Sequence, residues 1–394
     1  MQPANPLKNR SVLFSALAGF TYGLFCRLAF TRDSPLKDLW GVMTIGFLGV
    51  MPLAVGFISA FFAVRAGKRG PATWVGLPIV TTVALFAGSF VLFWEGIICL
   101  TMLLPLALVM AILGGALGGF CARRFGKTPL LCVAILPFVV SAAERWAGPA
   151  YEVREVATSI AIDASPAVVW RQIERVPPIR IEEQRFSWTQ KIGFPRPIEA
   201  TLSGAGVGAV RHATFAGGVL FIETVTEWDA GRRLGFDIRA DTASIPPHTL
   251  DEHVTIGGRY FDTLHGEYRI EARPDGTTLL HLSSRHRLST TFNFYARLWT
   301  DAVMRDIQDN ILFVIRNRCE KSTTHAREQA VLHLQRPTAA SSPAPPGWLP
   351  PAECSRHLTP AVRCPAPACS KSGRESSARP TIRADSPARH RSAY

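Results

Sequence analysis

The residues best suited to chemistry are dispersed through the C-terminal half of the chain. The stretch "HTLDEH", His248–His253, offers two histidines with two carboxylates between them. Pro246-Pro247 precedes it and Gly257-Gly258 follows it, which is typical of a long loop. No second cluster at metal-site spacing accompanies these histidines. We therefore interpret the stretch as an exposed loop and predict no metal site.

Four further side chains could carry acid–base chemistry: Glu223, His265, Glu267 and His281. Strand alternation places His265 and Glu267 on the face opposite Tyr268, so we expect these two to face solvent. No cysteine occurs between Tyr151 and Arg318, which excludes a catalytic thiol or a thiolate metal site there. No serine nucleophile motif is present either. The sequence predicts no catalytic residue, and an enzymatic role stays open without being favoured.

The glycine-rich stretch "GAGVG", Gly204–Gly208, superficially suggests a nucleotide-binding loop. A strand pattern follows it instead of a helix, and the full dinucleotide-binding spacing is missing. We interpret it as a hairpin turn or a bulge. The sequence accordingly predicts no cofactor.

The secondary-structure elements that would position a functional site fall into two regions of the chain. The first region is rich in apolar residues. Five apolar segments occupy residues 11–30, 39–64, 72–94, 96–121 and 129–143 of a region that ends near residue 145. A helix needs about 20 mostly apolar residues to cross a bilayer. The first four segments meet that length, and the fifth is short and contains Pro137. We expect four or five membrane spans.

Basic residues between these segments predict the orientation. They precede the first segment, follow the second and follow the fourth, whereas the opposite loops carry less net positive charge. Basic loops stay on the cytoplasmic side. We therefore expect a multi-pass protein of the cell (inner) membrane, with a cytoplasmic N-terminus. If the fifth segment spans, as its flanks and Trp146 favour, the following domain is extracytoplasmic; if it does not span, that domain is cytoplasmic.

The spans themselves carry few ionisable groups at membrane depth, which disfavours a pump. The stretch "GGALGG" places Gly114 and Gly118, and Gly115 and Gly119, four residues apart. Such spacing lets helix backbones approach closely. We interpret these glycines as a packing surface, which could also serve self-association. The region predicts an anchor whose partner is the lipid bilayer.

The second part begins with a strand pattern that ends at Ile162 and is followed by "DASPAVVW", in which Ser165 and Pro166 favour the start of a helix. Further strands follow, joined by short turns such as Asp229-Ala230-Gly231 and Pro274-Asp275-Gly276. Short turns predict an antiparallel sheet. An amphipathic helix from Asn293 to about Lys321 closes the domain, which we place at residues 151–321.

This order of elements resembles a known family. The motifs are "SIAIDASPAVVWRQI", "GAGVGAVRHATF", "TVTEWDAGRRLGFDI", "GEYRIEARPDGTTLLHL" and "YARLWTDAVMRDIQDNILFVI". They resemble the START-like helix-grip superfamily, in particular its polyketide cyclase/dehydrase and lipid-transport branch and the bacterial members that carry an N-terminal membrane region. The resemblance implies an α+β helix-grip domain: a curved antiparallel sheet around a long C-terminal helix, with an apolar cavity between them. It does not imply a single activity, because the superfamily includes carriers, cyclases and other enzymes.

Candidate ligand-binding residues follow from the strand faces. We expect Leu264, Tyr268 and Ile270 to share one face, and likewise Leu280, Leu282, His286 and Leu288 on the next strand. Trp228 and Ile222 should share a face on an earlier strand. The predicted pocket residues are Trp228, Leu264, Tyr268, Leu280, Leu282, His286, Trp299 and Val303. Tyr268 and His286 would be its polar groups, and the alternative is that all eight simply fill the core.

Residues 322–394 are rich in Pro, Ser, Ala and Arg, which predicts a disordered tail. Ten Lys and Arg against four Asp and Glu give this tail a net +6 of the chain's +13. Charge placed in a tail and in membrane-flanking loops does not indicate a nucleic-acid partner. The tail suits contact with anionic lipid; its composition also matches GC-rich sequence read out of frame.

Three functional interpretations remain. The first is a membrane-tethered domain that binds or transfers a hydrophobic small molecule or lipid, since burial of methylene groups alone can extract such a ligand from water. The second is a cyclase- or dehydratase-like enzyme that uses the same cavity. The third is a membrane sensor or scaffold without a ligand. We favour binding because apolar positions are evident and a catalytic pair is not.

Overall fold

A computed structural model describes residues 6–30, 41–68, 70–125, 127–148, 150–241 and 255–335. It contains a bundle of five long apolar helices, followed by a seven-stranded antiparallel sheet and a long C-terminal helix. This is the predicted fold class, a multi-span α-helical region followed by an α+β helix-grip domain. The histidine-containing stretch 248–253 and the chain beyond residue 335 lie outside the described residues.

All five predicted apolar segments contain helical stretches that are long and apolar enough to cross a membrane; in two of them, Gly46–Arg65 and Ala72–Val91, the stretch includes the π-helical turn before the helix. They are α1 (Pro6–Ala29), α2 (Met51–Arg65), α3 (Leu77–Val91), α4 (Ile97–Arg124) and α5 (Thr128–Ala147). One π-helical turn leads into α2 at Gly46–Val50, and another leads into α3 at Ala72–Gly76. The marginal fifth segment forms a helix of 20 residues, and Pro137 lies inside it without ending it.

The glycines of α4 are used for packing inside the chain. An added Cβ at Gly114 or Gly118 would collide with the backbone of α2, at Leu53 and Phe57 respectively. One at Gly115 or Gly119 would collide with Trp74. The four-residue spacing of these glycines therefore lets α4 pack closely against α2 and against the turn before α3, which cover all four positions.

The sheet has the strand order β1-β7-β6-β5-β4-β3-β2, and every neighbouring pair is antiparallel. The strands are β1 (Ala150–Ile162), β2 (Pro197–Leu202), β3 (Val210–Phe215), β4 (Val219–Asp229), β5 (Arg233–Ala240), β6 (Phe261–Ala272) and β7 (Thr278–Thr290). Helix α6 (Pro166–Glu174), a 3-10 turn (Ile181–Glu183) and the short helix α7 (Trp188–Lys191) separate β1 from β2. The predicted turns are confirmed by positive φ at Gly206, Gly208, Gly231 and Gly276.

Two β-bulges overturn two of the predicted strand faces. In β6, Thr263 pairs with His286 and His265 with Arg285, so Leu264 is the extra residue of a bulge. Leu264 therefore does not share the inner face with Tyr268 and Ile270, as alternation had predicted. The physical reason is that one inserted residue reverses the phase of every side chain before it.

The second bulge lies in β4. Val225 pairs with Phe236 and Glu227 with Gly235, which leaves Thr226 as the extra residue. The buried positions Val219, Phe221, Glu223 and Val225 alternate up to the bulge, and Ile222 lies on the other face. Trp228 packs against the buried core, so the predicted common face of Ile222 and Trp228 is wrong.

Helix α8 begins at Asn293, as predicted, but it continues to Gln335. Residues 322–335 are therefore helical, whereas the sequence had placed them in the disordered tail. Good helix formers such as Ala326, Arg327 and Glu328 explain the extension, and Arg327 approaches the carboxylate of Asp163 at 3.3 Å.

Candidate functional site: a cavity between the sheet and the helical bundle

A cavity of about 300 Å³ lies between the inner face of the sheet, α8 and one end of the helical bundle. Its volume falls in the range of small-molecule sites, and its lining is mostly apolar. On the sheet side it meets inward residues of successive strands, among them Ala213, Phe221, Phe236, Tyr268 and Leu282. On the helix side it meets residues spaced four apart on α8: Trp299, Val303, Ile307 and Ile311.

The bundle provides the remaining wall. The chain before α2 contributes Met43 and Phe47, α3 contributes Leu85 and Ser89, and α4 contributes Cys99 and Met102. These residues belong to the start of α2, the end of α3 and the start of α4, so they lie at one end of the bundle. The cavity is thus formed jointly by the helix-grip domain and the apolar helices.

The charged groups described at that end of the bundle have partners. Arg27 forms an ion pair with Glu95 at 2.8 Å and also donates to the carbonyl of Trp94 at 3.0 Å. The carboxylate of Glu144 accepts hydrogen bonds from the backbone N–H groups of Ile45 and Gly46, at 2.8 and 3.0 Å. Among the described residues, this wall therefore offers mainly apolar surface to an occupant.

Direct contacts hold the helix-grip domain to α4. The hydroxyl of Tyr295, in the first turn of α8, donates to the carbonyl of Met102 at 2.6 Å. Burial raises the pKa of Tyr295, which keeps the phenol protonated and able to donate. At the next contact, Gly193 has a φ of 107° and lies against Ile97 and Ile98. These contacts hold the cavity side of the helix-grip domain against the end of the bundle.

One charged pair is buried in the cavity wall. Arg211 of β3 and Glu223 of β4 are direct cross-strand partners and form an ion pair, with 4% and 7% of their side chains exposed. The guanidinium carbon of Arg211 lies 5.2 Å from the ring centre of Phe236 and 6.0 Å from that of Tyr268. Burial lowers the pKa of Arg211, but the adjacent carboxylate more than offsets this, so the pKa lies above its ordinary value.

The rest of this cluster is neutral. Tyr268 is 3% exposed, and burial raises the pKa of its phenol, which therefore stays protonated. The Nε of Arg211 is fully buried and has no hydrogen-bond partner among the described residues. With Arg211 and Glu223 joined as an ion pair, the cluster of Arg211, Glu223 and Tyr268 carries no net charge in the cavity wall.

Four of the eight predicted pocket residues line the cavity: Tyr268, Leu282, Trp299 and Val303. Two others, Trp228 and Leu280, belong to the packed core at the other end of the sheet. Leu264 is the unpaired residue of the β6 bulge. A role of the four lining residues in ligand binding stays a prediction.

His286 is fully buried and does not line the cavity. Neither ring nitrogen has a hydrogen-bond partner among the described residues. Its Nε2 lies 3.8 Å from a carboxylate oxygen of Asp301, which is itself bound to the guanidinium of Arg154. Burial, first of all, lowers the pKa of His286. The side chain is therefore a neutral core residue at pH 7.

Of the acid–base candidates, Glu223 alone reaches the cavity. His265 approaches Asp237 at 2.9 Å, Glu267 approaches Arg233 at 3.6 Å and His281 approaches Glu271 at 3.5 Å, all as partly exposed contacts. This is the outward placement expected for His265 and Glu267. Sequence reasoning missed Arg211 altogether, although it alternates in phase with the buried Ala213.

Several solved structures are similar to this chain over less than half of its length. A protein described only as uncharacterised, from Rhizobium leguminosarum, is 14% identical over 43% of this chain and 98% of its own, with a TM-score of 0.27. Ara h 8.0201 is 11% identical over 42% of this chain and 97% of its own, with a TM-score of 0.27. A START superfamily protein from Mycobacterium smegmatis is 9% identical over 42% and 97%, with a TM-score of 0.28.

No protein-family model and no curated protein matches the chain. The helix-grip architecture follows from the strand order and from α8 across the inner face of the sheet. At these identities and scores the solved structures add nothing about ligand or activity.

Proposed function

We propose that this chain is a membrane-embedded protein that binds or transfers a hydrophobic small molecule or lipid. The observation that carries the proposal is the apolar cavity of about 300 Å³, which has one wall made of helices apolar enough to span a membrane. Each methylene group moved from water into such a space contributes about 0.8 kcal/mol. A ligand of modest length therefore gains enough free energy to leave water without any charged contact.

The buried cluster suggests the polarity of the ligand. Glu223 already neutralises Arg211, so a second buried charge would lack a partner and would cost several kcal/mol. An uncharged ligand avoids this cost. We infer a neutral, mostly apolar ligand.

The distribution of charge supports the orientation. Arg65, Lys68, Arg123 and Lys127 flank the bundle at the end opposite the cavity. Basic loops are retained in the cytoplasm. The helix-grip domain and its cavity would then lie on the extracytoplasmic side of the cell membrane, with the N-terminus inside. A cytoplasm-only reporter fused after Gln335 that proved active would contradict this arrangement.

Native mass spectrometry of the full chain, extracted from membranes into nanodiscs, tests the binding function. We expect a bound neutral molecule that a mild organic wash releases. Leu282→Trp, which fills the cavity, should abolish the bound mass, and Val207→Trp on an exposed turn should not. Wild-type protein that is empty after gentle extraction would count against a carrier and leave a sensor or scaffold.

A cyclase- or dehydratase-like activity is the second candidate, and Tyr268 favours it. Its neutral phenol lines the cavity beside Arg211 and could donate a hydrogen bond to the oxygen of a bound carbonyl compound, where it would stabilise negative charge that develops during reaction. Chemical conversion of the bound molecule by wild type, lost in Tyr268→Phe with binding retained, would support the enzyme. Release of the ligand unchanged would support the carrier.

A further inference from the structure

The exposed stripe of α8 changes character along its length. Phe294 and Leu298, four residues apart, are 57% and 62% exposed, and the cation Arg297 between them is exposed as well. The next exposed positions on the helix are Ala302 and Arg305, which are small or charged. The apolar part of the stripe is therefore limited to the first two turns. Soluble surfaces seldom expose large apolar side chains side by side without a partner.

These two turns lie at the level where the membrane bundle ends. Tyr295, between Phe294 and Leu298, donates to the carbonyl of Met102 in α4. A hydrocarbon core is crossed by about 20 helical residues, and counting that far back from Arg123 reaches Leu103. Met102 is therefore at the far edge of that core, and the apolar turns of α8 lie at the same depth.

Exposed apolar residues also occur at this end of the bundle. Phe93 in the turn between α3 and α4 is 92% exposed, and Ile97 at the start of α4 is 51% exposed. Ile97 also lies against Gly193 of the helix-grip domain. The first two turns of α8 and this end of the bundle therefore both present surface that a bilayer would cover, and we define Phe294, Leu298, Phe93 and Ile97 as the apolar rim.

We infer that the apolar rim is immersed in the edge of the bilayer leaflet and that the cavity takes up its ligand directly from that leaflet. This inference rests on the proposed binding function. The cavity is lined on one side by the membrane helices and on the other by Tyr295 and Trp299. A lipid that enters between the rim and the cavity would meet mainly apolar side chains and would not have to cross water.

Photolabelling tests the immersion of the rim. The full chain is reconstituted in phosphatidylcholine vesicles that contain a lipid with a diazirine in its acyl chain. After illumination and proteolysis, we expect labelled peptides that contain Phe294 or Leu298. The turn that contains Val207 should stay unlabelled, since it is equally apolar and 69% exposed but lies beside the opposite end of the sheet. Absence of label from residues 294–298 would overturn the inference.

A loading experiment tests the route. Deuterated dodecanol, a neutral probe with one hydroxyl, is supplied either within nanodisc lipid or in detergent, and its occupancy is measured by native mass spectrometry. Leu298→Glu places a charge at the membrane edge and should slow loading from nanodiscs roughly tenfold. It should leave occupancy in detergent unchanged. The matched control Val207→Glu should load like wild type in both settings.

The outcomes separate the two proposals. Loading of Leu298→Glu at the wild-type rate from nanodiscs, with normal binding in detergent, would contradict leaflet uptake and leave the binding function intact. Failure of wild type to hold dodecanol or any co-purified lipid in either setting would remove the binding function, and leaflet uptake with it. Binding by Leu298→Glu in detergent also shows that this variant is folded.

Discussion

The two ends of the helix-grip interior are built from the same sheet and the same helix, yet one is filled and the other is hollow. At the closed end, inward side chains of the sheet meet α6 and the distal part of α8 in a continuous core. Its residues include Ile162, Trp170, Ile173, Leu234, Leu280 and Leu312. At the open end, α6 is absent and the bundle takes its place, at a distance that leaves the cavity.

Side-chain volume explains the closed end. The rings of Trp170 and Trp228 meet edge to face at 5.2 Å, and the bulge in β4 is what turns Trp228 towards the core. At the open end the inward positions Phe221, Tyr268 and Leu282 pack on one side against the sheet's core and border the cavity on the other. We therefore expect any ligand to bind at the open end, where the side chains of the helix-grip domain leave part of its interior empty.

The largest effect should come from the buried ion pair at the open end. Glu223→Gln leaves the charge of Arg211 buried without a partner, so we expect the free energy of unfolding to fall by about 3–5 kcal/mol. The double variant Arg211→Met, Glu223→Leu should recover most of this loss, because both charges are removed together. Thermal denaturation in detergent measures both. A single variant as stable as wild type would mean that water reaches this site.

Alanine substitutions should distinguish the two ends next. Leu280 is fully buried at the closed end. Leu280→Ala should therefore lower the free energy of unfolding by an amount near the top of the range of about 2–5 kcal/mol seen for Leu→Ala. Leu282 lies two residues further along the same strand and borders the cavity. Leu282→Ala should lower the free energy of unfolding by an amount near the bottom of that range, since we expect fewer of its contacts to be with packed side chains. Equal losses would indicate that the open end is as closely packed as the closed end.

Enlarging the same two side chains should give the opposite ranking. Leu280→Trp overpacks the closed end and should cost about 1–3 kcal/mol or more. Leu282→Trp has an empty volume to enter and should change stability by less than about 1 kcal/mol while it blocks ligand uptake. Denaturation and native mass spectrometry on the same samples provide both quantities. Severe unfolding of Leu282→Trp would argue against a void at this position.

The smallest effect concerns His286, on the inner face but outside the cavity. Because burial lowers its pKa in the folded state, the unfolded state binds the proton first as the pH falls below about 6.5. The contribution of His286 to the free energy of unfolding should therefore be constant above that pH. Below it, the contribution should decline by at most about 1.4 kcal/mol per pH unit.

The groups that face His286 are Asp301 on α8, with Arg154 and Glu152 on β1, and Arg154 offsets part of the attraction of the two carboxylates. His286→Gln provides the control, since it removes the titrating group at similar volume. A profile that is unchanged in this variant would assign the acid sensitivity to other residues, such as Glu183. The hydrogen bonds of Arg318 lower the pKa of Glu183 to about 2, so its contribution is lost only at more acidic pH.

Local patterns in the sequence were sufficient for four apolar helices and a marginal fifth, the succession of strands along the chain, the turns and the inner face of β7. Each depends on residues close together in the chain: helical periodicity, strand alternation, or a glycine that a turn requires. The start of α8 was predicted for the same reason. Its end was not, because a change in overall composition near Ser322 outweighed the helix-forming residues that follow.

Only the tertiary structure decided which inward residues fill a core and which border a cavity. Bulges at Thr226 and Leu264 arise from the pairing of neighbouring strands, which strict alternation within one strand cannot express. The Arg211–Glu223 pair required two strands to be placed in register. The cavity itself required the bundle, whose residues lie far from the sheet in sequence. Alternation determined which side chains point inward, whereas the distance to the opposing wall, a property of the whole packed chain, determined whether they meet anything there.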